Sequence, residues 1–68
     1  MDSIERLMKA AYPYWNQLTD EEKKIVDNIA MQIPISCEDV AHIFIRHGNS
    51  DKQKTINYIY KIYGFDIE

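Results

Sequence analysis

The sequence predicts an all-α fold, a small three- to four-helix bundle, and three observations carry that reading. Apolar residues recur at helical spacing in four separate segments, and the last three of these open on a capping residue. No stretch alternates long enough to be a strand. Pro13, Pro34, Gly48 and Gly64 punctuate the helical segments.

The chain has 68 residues, one domain at most over 1–68, and a domain of this size buries only about 60% of its unfolded surface. Its stability therefore calls for good packing or a partner. Hydrophobic residues at 46% and charged residues at 28% are globular values. The net charge of −3 tells against a general nucleic-acid binder and leaves a protein partner open. One cysteine makes no internal disulfide, which points to a reducing compartment. No apolar run approaches the roughly 18 residues of a membrane span. Asp2, Glu5, Arg6 and Lys9 stand where a secretory leader needs an apolar core. The expectation is a cytoplasmic protein with no membrane partner. Small size without catalytic residues also suits an accessory factor of a phage or other mobile element.

Ile4, Leu7, Met8 and Ala11 follow i, i+3, i+4, i+7 spacing and predict an N-terminal helix over 3–11. Such a helix is too short to persist alone in water, so its apolar face must dock. Pro13 stops it and opens a connector, 12–19, that holds Tyr12, Tyr14 and Trp15. These rings either cover the open end of a small core or form a partner-binding patch, since Tyr and Trp are enriched at interface hot spots. Self-association through the 3–11 helix and these rings stays open. Thr19 with Glu22 is a capping box for a helix over 20–32. Ile25, Val26, Ile29 and Ala30 are its buried stripe, and Pro34 ends it near Gln32.

Ser36 is the N-cap of the next helix, 37–47, with Asp39 in the capping-box place. Ile35 and Val40 occupy hydrophobic-staple positions, and Val40, Ala41, Phe44 and Ile45 form the apolar stripe. Glu38 and Asp39 complement the positive end of the helix dipole, Arg46 and His47 the negative end. Gly48 is expected as a left-handed C-terminal residue. Asn49 or Ser50 caps a last helix over 51–63, with Gln53 completing a box if Ser50 is the cap. Its apolar face is Ile56, Ile59, Tyr60 and Tyr63, widened by Ile62 and bordered by Tyr58. Gly64 ends it, Phe65 is placed to fold back on Tyr60, and residues 66–68 form a frayed tail.

The residues offer little chemistry. Cys37 lies at a helix start, where the dipole lowers a thiol pKa, but Glu38 and Asp39 oppose that shift, and a structural cysteine is the expectation. His42 and His47 are five apart, a poor spacing for a shared metal beside the i, i+4 of real helical sites. Asp20, Glu21 and Glu22 are dipole and cap complements, with no pocket for acid/base work. No enzyme, cofactor or metal site is expected. The 51–63 segment carries three lysines against one aspartate, about +2, and follows a glycine turn, the outline of a DNA-reading hairpin. Lys52, Lys54, Thr55, Asn57 and Lys61 are its candidate nucleic-acid contacts, with Tyr58 beside them.

From Glu21 to Tyr63 the order of segments resembles the ubiquitin-associated (UBA-like) three-helix domain. EEKKIVDNIAMQIPIS, CEDVAHIFIRHGN and SDKQKTINYIYKIY follow that family's first helix and short loop, second helix begun by Ser or Thr and two acidic residues, Gly-Asn or Asn-Asn turn and third helix, and VAHIFIRHGN and TINYIY are the nearest passages. The resemblance implies a UBA-like core with an extra N-terminal helix. It implies a docking module whose partner-binding region is Gln32, Ile33, Pro34 and Ile35 with Tyr60 and Tyr63. The chain has Met31, Gln32, Ile33 and Pro34 where ubiquitin-binding members carry a Met-Gly-aromatic loop, and its hairpin turn is a residue or two longer. That departure tells against ubiquitin itself as the ligand. The functional expectation is a non-enzymatic protein-interaction module, a small regulator or inhibitor docking through Tyr12, Tyr14, Trp15, Gln32, Ile33, Pro34, Tyr60 and Tyr63. The alternative is a helix-turn-helix DNA-binding regulator.

Overall fold

The structure, a computed structural model, describes residues 11–68, which are helical throughout their regular parts. A 3-10 turn spans Trp15–Gln17, followed by α1 (Asp20–Met31), α2 (Cys37–Arg46) and α3 (Lys52–Tyr63). The helix expected over 3–11 lies, apart from Ala11, outside the described residues. Among the described residues there is no strand, and no helix is long and apolar enough to cross a membrane.

Each helix starts for a local reason. At α1 both halves of the capping box are made: the Glu22 N–H donates to Thr19 Oγ1 at 3.2 Å, and the Thr19 N–H donates to Glu22 Oε1 at 2.9 Å. At α2 the Ser36 hydroxyl accepts from the Asp39 N–H at 3.2 Å. At α3 the cap is neither Asn49 nor Ser50 but Asp51, whose carboxylate accepts from the Lys54 N–H at 3.0 Å. Gln53 forms no capping box there and instead donates to Asn57 one turn on, at 3.0 Å. A carboxylate is a stronger acceptor than a hydroxyl at the positive end of a dipole, which favours the later start.

The core is shared by all three helices and α2 lies at its centre. Val40, Ala41, Ile43 and Phe44 of α2 are buried with Val26 and Ile29 of α1, Ile59 of α3, and Leu18 and Ile33 from the connections. Fully burying side chains of this kind contributes about 1.5–3 kcal/mol each before conformational entropy is charged against it. Ile43 is inside and Ile45 only half-buried, the reverse of the predicted stripe. Ile35 packs on the core from its place before the α2 cap, as a staple residue should.

The α2–α3 turn is built differently from the expectation. Gly48 is not left-handed; Asn49 and Ser50 are, at φ 53° and 58°. Gly48 is needed for space, because a Cβ there would collide with the Thr55 hydroxyl and stand 3.0 Å from Thr55 Cβ. The carbonyls left open at the end of α2 are satisfied inside the turn. Ile43 O accepts from the His47 and Gly48 N–H groups, each at 2.8 Å, and Phe44 O accepts from Ser50 N–H at 2.8 Å. Gly64 closes α3 as predicted, left-handed at φ 77° with its N–H donating to Tyr60 O.

Beyond Gly64 the tail, expected to fray, makes contacts back to the body of the protein. Phe65 stacks on Tyr63, not Tyr60, with centroids 6.0 Å apart and planes within 9°. Ile67 packs against the core, and Glu68 exchanges two hydrogen bonds with Gln32, donating its N–H to Oε1 at 2.9 Å and accepting from Nε2 at 3.2 Å. The tail thus joins the end of α3 to the end of α1.

We expect Gly48→Ala to destabilise the protein by about 1–3 kcal/mol through overpacking. Urea denaturation of a Gly48→Ala, Thr55→Ala double-mutant cycle should show coupling, since removing the Thr55 hydroxyl removes the worst of the clash. Additive losses would mean the two residues do not meet.

Candidate functional site

Three surface features lie around the core. The first is a clasp between α2 and the connector. Glu38, in the first turn of α2, turns its carboxylate to the start of the 3-10 turn, accepting from the Tyr14 N–H through Oε2 and from the Trp15 N–H through Oε1, both at 2.9 Å. Two free N–H groups at a helical start are thereby satisfied by one partly buried anion. The clasp seats Tyr14 and Trp15 on the core as half-buried rings, and Lys23 lies over Trp15, its Nζ 5.8 Å from the ring centroid. Tyr12 stays exposed.

Beside the clasp is an open cleft of about 460 Å³ lined by Tyr12, Trp15, Asn16, Asp27 and Cys37. It has no activated nucleophile. The Cys37 thiol donates weakly to Asp27 Oδ1 at 3.9 Å. Burial first, and then the Asp27 carboxylate, raise the thiol pKa above its ordinary value. A thiol held neutral beside a carboxylate is a poor nucleophile at neutral pH. Among the described residues no group of three or more His, Cys, Asp or Glu is placed to hold a metal.

The second feature is a ladder of rings running from the connector across α2 to α3. Tyr14 meets His42 edge-on at 4.5 Å, His42 meets His47 edge-on at 5.8 Å, and His47 stacks on Tyr58 at 4.3 Å with planes within 7°. The Arg46 guanidinium lies over Tyr14 at 5.7 Å. The two histidines are thus neighbouring rungs of one run of ring contacts.

The third feature is the apolar end of α3. Tyr60, Ile62 and Tyr63 are 59%, 54% and 49% exposed, and Met31 at the end of α1 is 77% exposed. The predicted inward face of α3 is thus corrected. Thr55 and Ile59 are its buried residues, Ile56 and Tyr58 are half-buried, and Tyr60, Ile62 and Tyr63 are outside. By helical spacing Ile62 and Tyr63 continue the Thr55–Ile59 face, so the last turns of α3 carry that face beyond what the core covers.

Of the residues predicted for protein docking, Tyr60 and Tyr63 share one end of α3, while Tyr12, Tyr14 and Trp15 belong to the connector. Gln32 is exposed but engaged with Glu68 and with Asn28, and Pro34 is exposed. Ile33 is withdrawn from that set, being buried in the core. Of the predicted nucleic-acid contacts, Lys52, Lys54, Asn57 and Lys61 are exposed, and Lys54, Asn57 and Lys61 share the outward face at i, i+3, i+7 spacing. Thr55 is corrected: it is fully buried, its hydroxyl donating to Asp51 O at 2.7 Å, where no phosphate or base can reach it. The Glu38 clasp and the ring contacts joining His42, His47 and Tyr58 were not legible in the sequence. The groups that Glu38 and these rings meet lie on other elements, where helical periodicity carries no signal.

Compared with protein-family models, curated proteins and solved structures, the chain finds no match.

Glu38→Ala should free the connector, costing about 2 kcal/mol for two charge-assisted hydrogen bonds. Trp15, the sole tryptophan, should then shift its fluorescence to the red. An unchanged spectrum and melting curve would leave the clasp without energetic weight. The thiol supplies a second test. Its folded pKa is raised, so its contribution to stability is whole below the ordinary thiol range, about 8.5, and is lost as pH rises beyond it. Between neutral pH and mildly alkaline pH the wild type should therefore lose more stability in urea melts than Cys37→Ser does. Equal losses would remove Cys37 from the alkaline dependence.

Proposed function

We propose that the chain is a non-enzymatic docking module, a small regulator that acts by occupying the surface of a partner protein. The observation that carries this reading is the apolar end of α3, where Tyr60, Ile62 and Tyr63 are about half exposed within four residues. Large rings and aliphatics concentrated on one helix end are the residue types that supply binding energy when a partner desolvates them. The order and lengths of α1, α2 and α3 support assigning them to a UBA-like three-helix bundle, within which the end of the third helix is a natural docking edge. The neutral Cys37 thiol supports occupancy over catalysis.

A second reading, a helix-turn-helix DNA-binding regulator, is favoured by one observation, the shared outward face of Lys54, Asn57 and Lys61. Loss of Thr55 from its contacts and the net charge of −3 weigh against it.

The two readings part in a pull-down of tagged protein from source-cell lysate, with nuclease-treated and untreated halves. We expect a stoichiometric protein band that survives nuclease and is lost with Tyr60→Ser, Tyr63→Ser, a variant whose exposed positions should keep its helical circular dichroism. Recovery of nucleic acid, lost with nuclease or moderate salt, would sink the docking reading in favour of DNA binding.

A further inference from the structure

The ring ladder borders a strip of cations. Arg46 stands over Tyr14 at one end, and Lys54 and Lys61 flank Tyr58 at i−4 and i+3 on α3 at the other. All three cations are exposed, and among the described residues none has a carboxylate within ion-pair distance. The nearby acids are committed elsewhere: Glu38 holds the connector and Asp51 caps α3. Within a chain of net charge −3, these three cations stand beside one continuous run of ring area, and that combination sets the strip apart from the other exposed lysines. Ile62 follows Tyr58 by one turn, so the strip runs into the apolar end of α3.

We infer that this strip is the seat of an acidic, amphipathic segment of the partner protein. The segment's carboxylates meet Arg46, Lys54 and Lys61, and its apolar side chains continue onto Ile62 and Tyr63. This rests on the docking reading and gives the partner its chemistry. Charge complementarity of this kind fixes register and speeds encounter, while the apolar end supplies affinity. A single nucleic-acid strand fits the same surface less well. Its bases need free ring faces, and the ladder's rings are turned against one another, His47 lying flat on Tyr58. Three cations are also few beside the roughly 6–10 phosphate contacts of a protein that binds through the backbone.

The test is an NMR titration of the isotope-labelled full chain with a synthetic peptide of about twelve residues, alternating Glu with Leu and Phe, long enough to span the strip. We expect shifts at His47, Tyr58 and Ile62, with affinity falling about tenfold or more for the same peptide with Gln replacing Glu. A similar loss is expected for Lys54→Glu, Lys61→Glu, a variant that leaves the ladder intact. Equal binding of the Gln peptide, preference for an oligothymidylate, or no binding of the acidic peptide would each overturn the inference. If the pull-down partner depends on Tyr60 and Tyr63 but ignores Lys54→Glu, Lys61→Glu, the inference fails and the docking reading stands. If nothing is retained through Tyr60 and Tyr63, the docking reading itself fails.

Discussion

The close approach of Gly48 to Thr55 is the constraint from which the α2–α3 half of the molecule follows. Without a Cβ at Gly48 the turn can lie directly on the first buried residue of α3. Thr55 answers the confinement by donating its hydroxyl back to Asp51 O, leaving no polar atom of that buried contact unpaired. The chain must then reverse within a few residues, and it does so by placing Asn49 and Ser50 in the left-handed region. Asn tolerates that geometry and Ser less readily, so hydrogen bonds from the turn to Ile43 O and Phe44 O must offset the cost. With the helices drawn this close, His47 at the end of α2 lies flat on Tyr58 of α3.

The opposite end of α2 is fixed by the Glu38 clasp, so the central helix is pinned twice, once by sterics and once by charge. The two devices act on different kinds of freedom. The glycine contact sets how closely two helices pack. The carboxylate orders a connector that has only a 3-10 turn and few buried side chains of its own. Fixing the backbone of each such residue costs about 1–2 kcal/mol, and two charge-assisted hydrogen bonds with partial burial of Tyr14 and Trp15 are what stand against that cost.

How far the sequence disclosed this arrangement depends on the range of the interaction. Thr19 with Glu22, Ser36, and the stripes around Val26, Ile29, Val40, Ala41 and Phe44 were legible because caps and amphipathic periodicity act within one or two turns. Gly48 was legible as a stop but not as a contact, since glycine serves both a left-handed backbone and a close approach. The direction of α3 misled for a related reason. Periodicity gives the azimuth of an apolar face and says nothing of how far along the helix there is a body to cover it, so Ile62 and Tyr63 read as core and are surface. Glu38 lies 24 and 23 residues from the groups it holds, and Gln32 lies 36 from Glu68; neither pairing leaves a local trace.

The same limit of cover explains why the proposed docking surface lies where it does. A core supplied mainly by α1 and α2 has one residue of α3, Ile59, among its buried apolar side chains. The helix nevertheless runs on for another turn, capped by Gly64 and tied back through Phe65 to Glu68. That tie orders the end of α3 and covers only part of it, through the Phe65 ring on Tyr63, so Tyr60, Ile62 and Tyr63 stay about half exposed on an ordered helix. A partner that covers them gains apolar burial at little further cost in chain entropy, because the backbone presenting them is already ordered. In the proposed docking, such a preordered surface would leave most of the apolar gain to binding, and the cations beside Tyr58 would orient the partner.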